Sequence, residues 1–199
     1  IVSFNFFNLL IYIIRDIISW VIEMKIERVV TGELEENCYL VSSANHLFVV
    51  DPGSDYPNIK KALKGRNVDF VLITHHHFDH VGALDDLLAD YSVPVFDKNN
   101  TEEKEYQESG FHFSVIYTPG HTSDSISFYF PDDNVLFCGD FLFLESVGRW
   151  DLPTGDMNEM ARSITKIKSL SDDCKVYSGH GEDTTIGHEK KYNYYFQNV

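Results

Sequence analysis

The run THHHFDH, residues 74 to 80, carries four histidines, three of them consecutive, and an aspartate directly before the last. It directly follows VDFVLIT, a continuous apolar run typical of a strand buried on both faces. If the chain stays extended, His75 and His77 point to one side and can bind the same metal ion, while His76 points to the other. We therefore predict that this segment begins a metal site and that His76 is not a ligand.

Further potential ligands lie where the chain turns after a strand. Asp79 and His80 lie at the turn into a helix, where they can reach a second ion. His121 in TPGHT, Asp140 in FCGD and His180 in SGHG each adjoin a glycine, which lets the backbone turn closely around a site. The ligand count predicts two ions, divided as follows: His75, His77 and His121 on one, Asp79, His80 and His180 on the other, and Asp140 bridging both.

Nitrogen and oxygen ligands without a thiolate suit Zn²⁺, Fe or Mn²⁺, with zinc as the default. Three protein ligands per ion leave open positions, as catalytic sites require. Two ions about 3.5 to 4 Å apart can share a hydroxide whose parent water has a pKa near 7. We therefore expect hydrolysis without a serine or cysteine nucleophile, with Asp79 and Asp140 as the catalytic carboxylates. We interpret His46, His112 and His188 as surface or internally paired side chains.

The composition limits the partners. The 199 residues suit one ordinary domain, and 31 acidic against 16 basic residues give a net charge of −15, which repels nucleic acid. A small-molecule substrate fits better. The three cysteines, Cys38, Cys138 and Cys174, form no C-x-x-C pair and lie in apolar runs, so we predict buried, reduced thiols and a cytoplasmic location.

The first 23 residues differ from the rest. Their apolar pattern is interrupted by Arg15 and Asp16, which makes a membrane-spanning helix marginal, and polar residues recur at helical spacing. A one-sided helix could lie on a membrane surface, cover the domain or contact a partner. The alternative is a chain that starts at Met24, with a non-native extension before it; membrane association is expected only if residues 1–23 are native.

From Met24 onward, short strands alternate with helical segments, which predicts an α/β layered domain over residues 24–199. Helical spacing marks YPNIKKALKG, residues 81 to 91, 156 to 170 and 185 to 196. The polar stretch DKNNTEEKEYQESG is predicted to be flexible.

Taken together, GELEENCYLV, DPGSD, THHHFDH, TPGHT, FCGD, VGRWDLPTGD, SGHGEDTTIG and EKKYN resemble the metallo-β-lactamase fold superfamily, and within it the small glyoxalase II-like hydrolases. The resemblance runs from about Met24 to the end of the chain. It implies an αββα sandwich and places the family's ligands on the seven residues assigned above. It also implies a thioesterase acting on glutathione thioesters such as S-lactoylglutathione.

The resemblance assigns substrate contacts to Arg149 and Trp150; the alternative for Arg149 is an ion pair with Asp151 or Asp156. Two departures bear on the substrate. Glyoxalase II enzymes have an additional C-terminal helical domain that completes the glutathione site, and since the sequence given ends at Val199 without one, we expect glutathione to be bound weakly or not at all. The segment before FHFSVIY is short, and we expect it to lack the extra strand of the relatives.

Three other functions remain open. A persulfide dioxygenase would use one iron on the first histidine triad. A lactonase or phosphodiesterase would use the same hydroxide. A metal-stabilised scaffold would bind ions without turnover.

Overall fold

The computed structural model describes residues 24–199, and the prediction of a one-sided helix lies outside this part of the chain. Within it, two mixed β-sheets pack face to face with helices on both outer sides. The predicted αββα arrangement is therefore confirmed. None of the helices described here is long and apolar enough to cross a membrane.

The first sheet has its five strands in chain order. Their ranges are Lys25–Thr31 (β1), Glu36–Ser43 (β2), His46–Val50 (β3), Phe70–Leu72 (β4) and Val95–Phe96 (β5). The second sheet has the spatial order β13-β12-β9-β8-β7-β6. Its ranges are Glu105–Glu108 (β6), Phe111–Tyr117 (β7), Ile126–Phe130 (β8), Val135–Gly139 (β9), Lys175–Ser178 (β12) and Thr184–Thr185 (β13). A short hairpin of Leu142–Phe143 (β10) and Ser146–Val147 (β11) follows β9.

Within residues 24–199, three helices cover each sheet. Those on the first sheet are Tyr56–Leu63 (α1), Phe78–Val81 (α2) and Leu84–Tyr91 (α3). Those on the second are Met157–Ile167 (α4), Ile186–Tyr192 (α5) and Tyr194–Gln197 (α6).

Alternation along the strands divides the core into layers. In β3, Phe48 faces the opposite sheet, while its neighbours Leu47 and Val49 face the helices. In β9, Phe137 enters the space between the sheets and Leu136 packs on the outer helices. Because successive strand side chains point to opposite faces, strands covered on both sides must be apolar throughout. This is why β3, β4 and β9 read as continuous apolar runs.

The structure corrects the sequence predictions at three places. The polar stretch before β7 contains a strand, Glu105–Glu108, paired antiparallel with β7, so this segment is neither wholly flexible nor without a strand. The helix expected over residues 81 to 91 is divided at Gly82 and Ala83. The helix expected near 185 to 196 is divided at Asn193, whose side chain caps α6 by accepting from the backbone N–H groups of Tyr195 and Phe196. The three cysteines are buried and free, as predicted.

Candidate metal centre

All seven nominated ligands come together where strands end. The strands β4, β7, β9 and β12 stop at Leu72, Tyr117, Gly139 and Ser178, and the chain beyond each delivers one or more of these side chains. They form two overlapping clusters, whose members are His75, His77 and His121, then Asp79, His80 and His180, with Asp140 adjoining both.

Three ring nitrogens converge in the first cluster. The Nδ1 atom of His77 lies 3.1 Å from Nε2 of His75 and 3.0 Å from Nε2 of His121. One nitrogen lone pair cannot accept well from two N–H donors. Nitrogens on a tetrahedral zinc with bonds of about 2.0 to 2.1 Å lie about 3.3 Å apart, close to these separations. The contacts therefore suit a shared cation better than a hydrogen-bonded triad.

The protonation of the first cluster also suits a metal. Burial, followed by repulsion from His80, holds the pKa of His75 well below its usual value. Burial and the neighbouring His121 lower the pKa of His77 as well. Both rings are therefore neutral near pH 7 and have a lone pair available for a metal ion.

The second cluster combines imidazole nitrogen with carboxylate oxygen. The Nε2 atom of His180 lies 3.3 Å from Oδ2 of Asp79, and Nε2 of His80 lies 3.9 Å from the same oxygen. Burial acts to lower the pKa of His80, but Asp140 and Asp51 on either side outweigh it and hold this pKa well above its usual value. In the metal-free protein, His80 therefore carries a proton that a metal ion has to displace.

Asp140 lies between the clusters and offers one carboxylate oxygen to each. Its Oδ2 is 3.5 Å from Nε2 of His121, whereas its Oδ1 is 3.2 Å from Nε2 of His80 and 3.6 Å from Nε2 of His180. Burial acts to raise the pKa of Asp140, but His80 outweighs it, so this pKa lies well below its usual range. An ionised carboxylate with two differently directed oxygens can join two cations.

Backbone carbonyls fix two of the rings. The Nδ1 atom of His121 donates to the carbonyl oxygen of Arg149 at 2.7 Å, and Nδ1 of His180 donates to that of Leu34 at 3.0 Å. Because a carbonyl only accepts, the ring proton is on Nδ1, and the Nε2 lone pair points into the cluster. Such partners orient metal-binding histidines in known sites.

Asp51 is a functional residue that was not assigned from the sequence. Its Oδ1 accepts from the backbone N–H of Thr74 at 2.7 Å, while its Oδ2 accepts from the Thr74 hydroxyl at 2.6 Å and from His80 Nδ1 at 2.9 Å. It therefore ties the end of β3 to the ligand-bearing segment. The available signal was its position in FVVDPG, an acidic residue directly after a buried strand.

Buried polar atoms without partners test whether metals fit. Among residues 24–199, three side-chain atoms are buried without a hydrogen bond: Glu36 Oε1, His80 Nε2 and Asp140 Oδ1. The last two face each other at 3.2 Å without forming a hydrogen bond; His80 belongs to the second cluster, and Asp140 adjoins it. Uncompensated buried polar atoms are costly, and a cation between them would satisfy both. The residues present therefore fit a metal pair.

The remaining histidines lie outside the two clusters. His76 turns away, with Nδ1 2.6 Å from Asp124 and Nε2 3.1 Å from Asp97. The others each lie beside an acidic side chain at the surface or in a half-buried position: His46, His112 and His188.

An open cleft of about 450 Å³ leads to the clusters, and we call it the site cleft. Its wall residues are Leu34, His77, Phe78, Asp79, His121, Asp140, Phe143, Arg149, Leu152 and His180. Arg149 thus lies at the cleft, and it also forms the ion pair with Asp151, at 2.9 Å and 3.0 Å. Trp150 is not in the cleft wall; its half-buried ring packs 5.5 Å from that of Tyr195.

Comparisons with known proteins agree with this geometry. A family model described as the metallo-beta-lactamase superfamily matches residues 31–97 and 95–180. Hydroxyacylglutathione hydrolase GloC of Haemophilus influenzae is 30% identical over 205 residues, covering 85% of this chain and 97% of the relative. The chain belongs to the metallo-beta-lactamase superfamily. It is accordingly a metallo-hydrolase of that superfamily.

Two solved superfamily structures are similar throughout the domain. The BLEG-1 B3 metallo-beta-lactamase has a TM-score of 0.82 and 32% identity, covering 86% of this chain and 99% of its own. TTHA1623, crystallised in a di-iron-bound form, has a TM-score of 0.78 and 30% identity, covering 85% of this chain and 99% of its own. The His and Asp clusters described above thus occur in a fold known to bind a pair of metals.

Proposed function

We propose that this superfamily member hydrolyses thioesters at a dinuclear metal site. The position of Asp140 is the main support for a dinuclear site, because one carboxylate oxygen lies toward His121 and the other toward His80 and His180. Two ions would be held as the sequence predicted: one by His75, His77 and His121, one by Asp79, His80 and His180, with Asp140 on both. When bound, such a pair lowers the pKa of water and polarises the substrate carbonyl.

The protein's own residues then orient the reactants. The carboxylates of Asp79 and Asp140 are at the cleft wall, where they can hold and orient the attacking water. The overall change is addition of water across the carbon–sulfur bond, which yields a carboxylic acid and a free thiol. Zinc is our first choice of metal, and the nitrogen and oxygen donors also suit iron.

The leaving group distinguishes the candidate substrates. Apart from the five proposed ligands that line it, the described cleft wall consists of Leu34, Phe78, Phe143, Arg149 and Leu152. None of these can protonate a departing group near pH 7, because apolar side chains have no acidic proton and a guanidinium does not release one. A thiol, with a pKa of about 8.5, departs readily as the anion. An alkoxide does not, so the wall favours a thioesterase over a lactonase.

GloC, the relative named as a hydroxyacylglutathione hydrolase, supports the same class of reaction. A dioxygenase with one iron would need only the first histidine triad. The second cluster has all its nominated members, and two buried atoms without hydrogen-bond partners, His80 Nε2 and Asp140 Oδ1, meet there, so we favour hydrolysis.

The test is thiol release by the full chain, compared before chelation and after chelation followed by Zn²⁺. The substrates are S-lactoylglutathione, S-acetyl-N-acetylcysteamine and the matched oxygen ester. We expect metal-dependent cleavage of at least one thioester and much slower cleavage of the oxygen ester. Asp140→Ala should lose this activity, while Asp90→Ala, at an exposed site outside the cleft wall, should keep it. Metal-loaded protein that cleaves no thioester would refute the proposal.

A further inference from the structure

Exposed apolar side chains surround the site cleft. Phe78 is 72% exposed, the most exposed of the large apolar side chains described, and Leu34 is 54% exposed. Phe143 and Leu152 also line the cleft, and the Phe143 ring lies 6.2 Å from that of His180. When a substrate covers large apolar groups that are exposed to water beside a reactive centre, burial of this surface favours binding. Phe78 lies between the proposed ligands His77 and Asp79 in the sequence, and it lines the cleft beside them.

Positive charge is scarce in the same cleft. Of the wall residues that the structure describes, Arg149 is the one with a permanently charged cationic side chain. Its guanidinium already forms a two-pronged pair with the carboxylate of Asp151. A substrate carboxylate that uses Arg149 therefore has to break this pair first, which reduces the net gain.

The cavity beyond Phe78 is acidic. A second cavity of about 410 Å³ shares Leu34, Phe78 and Asp79 with the site cleft, and its wall adds Glu33 and Asp55. No lysine or arginine lies in this wall among the residues described. Away from the proposed metal pair, the acidic side chains of this cavity and the net charge of −15 disfavour an anionic group on the substrate.

We infer that the preferred substrate is a thioester that places an uncharged, apolar chain against Leu34 and Phe78, and not the carboxylate-bearing glutathione moiety. This inference rests on the proposed thioesterase function and specifies its substrate class. Glutathione carries two carboxylates and one ammonium group, so one of its carboxylates would have no free cationic partner in the wall described.

The test is a series of N-acetylcysteamine thioesters with acetyl, butyryl, hexanoyl and octanoyl groups, compared with S-lactoylglutathione on the Zn²⁺-loaded full chain. Burial of each added methylene predicts that kcat/KM rises about two- to fourfold per methylene until the chain fills the cleft. We expect the octanoyl compound to exceed S-lactoylglutathione. The three cysteines are buried, so a thiol reagent added to detect product will react little with the folded protein.

Two variants identify the surfaces responsible. Phe78→Ala should lower the ratio of kcat/KM for the octanoyl thioester to kcat/KM for the acetyl thioester about tenfold, because only the longer chain covers the ring. Tyr194→Ala is the matched control, since Tyr194 is 68% exposed but does not line the cleft.

Asp151→Asn releases Arg149 and should raise kcat/KM for S-lactoylglutathione about two- to fivefold, with little effect on the neutral series.

The possible outcomes distinguish failure of the substrate inference from failure of the proposed thioesterase function. Cleavage of S-lactoylglutathione faster than of every neutral thioester, or neutral rates independent of chain length, would overturn the inference while leaving the thioesterase function intact. If the metal-loaded protein cleaves none of these thioesters, the proposed function fails and the inference fails with it.

Discussion

The imidazole of His80 donates from Nδ1 to the carboxylate of Asp51 across 2.9 Å, and both side chains are fully buried. The same carboxylate accepts from the backbone and the hydroxyl of Thr74, directly before the first histidine of the cluster. Asp51 therefore sets the direction of the second cluster's histidine and the start of the segment that carries the first.

Asp51→Asn should weaken metal binding without removing a ligand. Loss of the carboxylate partner leaves His80 less basic and less well oriented, and changes of this kind typically reduce metal affinity about 10- to 100-fold. Competition with a chromophoric chelator measures this, and Asp69→Asn, at a partly exposed carboxylate on another loop, is the control. Unchanged affinity of a folded Asp51→Asn protein would show that His80 does not depend on Asp51.

Metal binding should release a proton from His80. Because Asp140 and Asp51 hold the pKa of this ring above its usual value, it is protonated in the metal-free protein at pH 6.5. Binding at the second cluster should release roughly one proton, and apparent affinity should rise with pH up to the raised pKa. Titration calorimetry with Zn²⁺ in two buffers of different ionisation enthalpy counts this proton. Identical heats in both buffers would contradict the account.

Gly179→Ala should damage the centre directly. A Cβ at this position would lie 2.3 Å from Oδ1 of Asp140 and 2.5 Å from Cε1 of His80, too close for either to remain in place. We expect metal affinity to fall at least about tenfold, as for other changes that displace metal-binding side chains. Gly65→Ala is the control: φ is +75° but no atom lies within 4 Å, so it should cost about 1 kcal/mol of stability and leave metal binding unchanged.

His76 should stabilise the metal-free protein in a pH-dependent way. Burial acts to lower its pKa, but contacts with Asp124 and Asp97 outweigh this and raise it. A raised folded pKa gives stability that is fully present below the unfolded value of about 6.5 and is lost as pH rises through the folded value. The free energy of unfolding of wild type minus that of His76→Gln, measured in chelator, should therefore be larger at pH 5.5 than at pH 9. A difference independent of pH would contradict the assignment.

The seven proposed ligands could be selected from the sequence because spacing and adjoining glycines mark them. His75, His77 and His80 are close in sequence, while His121, Asp140 and His180 adjoin glycines after apolar strands, and the structure brings all of them together. Asp51 was missed because its contacts with Thr74 and His80 depend on how the ends of β3 and β4 pair, which spacing does not report.

The edge strand of the second sheet was missed from the sequence for a different reason. The strand Glu105–Glu108 lies at a sheet edge and is largely polar, so apolar alternation could not reveal it. The substrate contact that the resemblance implies for Trp150 stays a prediction: its ring packs toward Tyr195, while the neighbouring Arg149 lies at the cleft. Successive residues of an irregular loop can face opposite ways, and only the packing decides which one meets a ligand.

The central claim is a pair of metal ions, one per cluster. A crystal structure of the Zn²⁺-reconstituted full chain, with anomalous diffraction recorded on both sides of the zinc absorption edge, tests it most directly. We predict two zinc peaks, one among His75, His77 and His121 and one among Asp79, His80 and His180, with Asp140 in contact with both. A single peak on the first triad, with the second cluster empty at saturating Zn²⁺, would contradict the account.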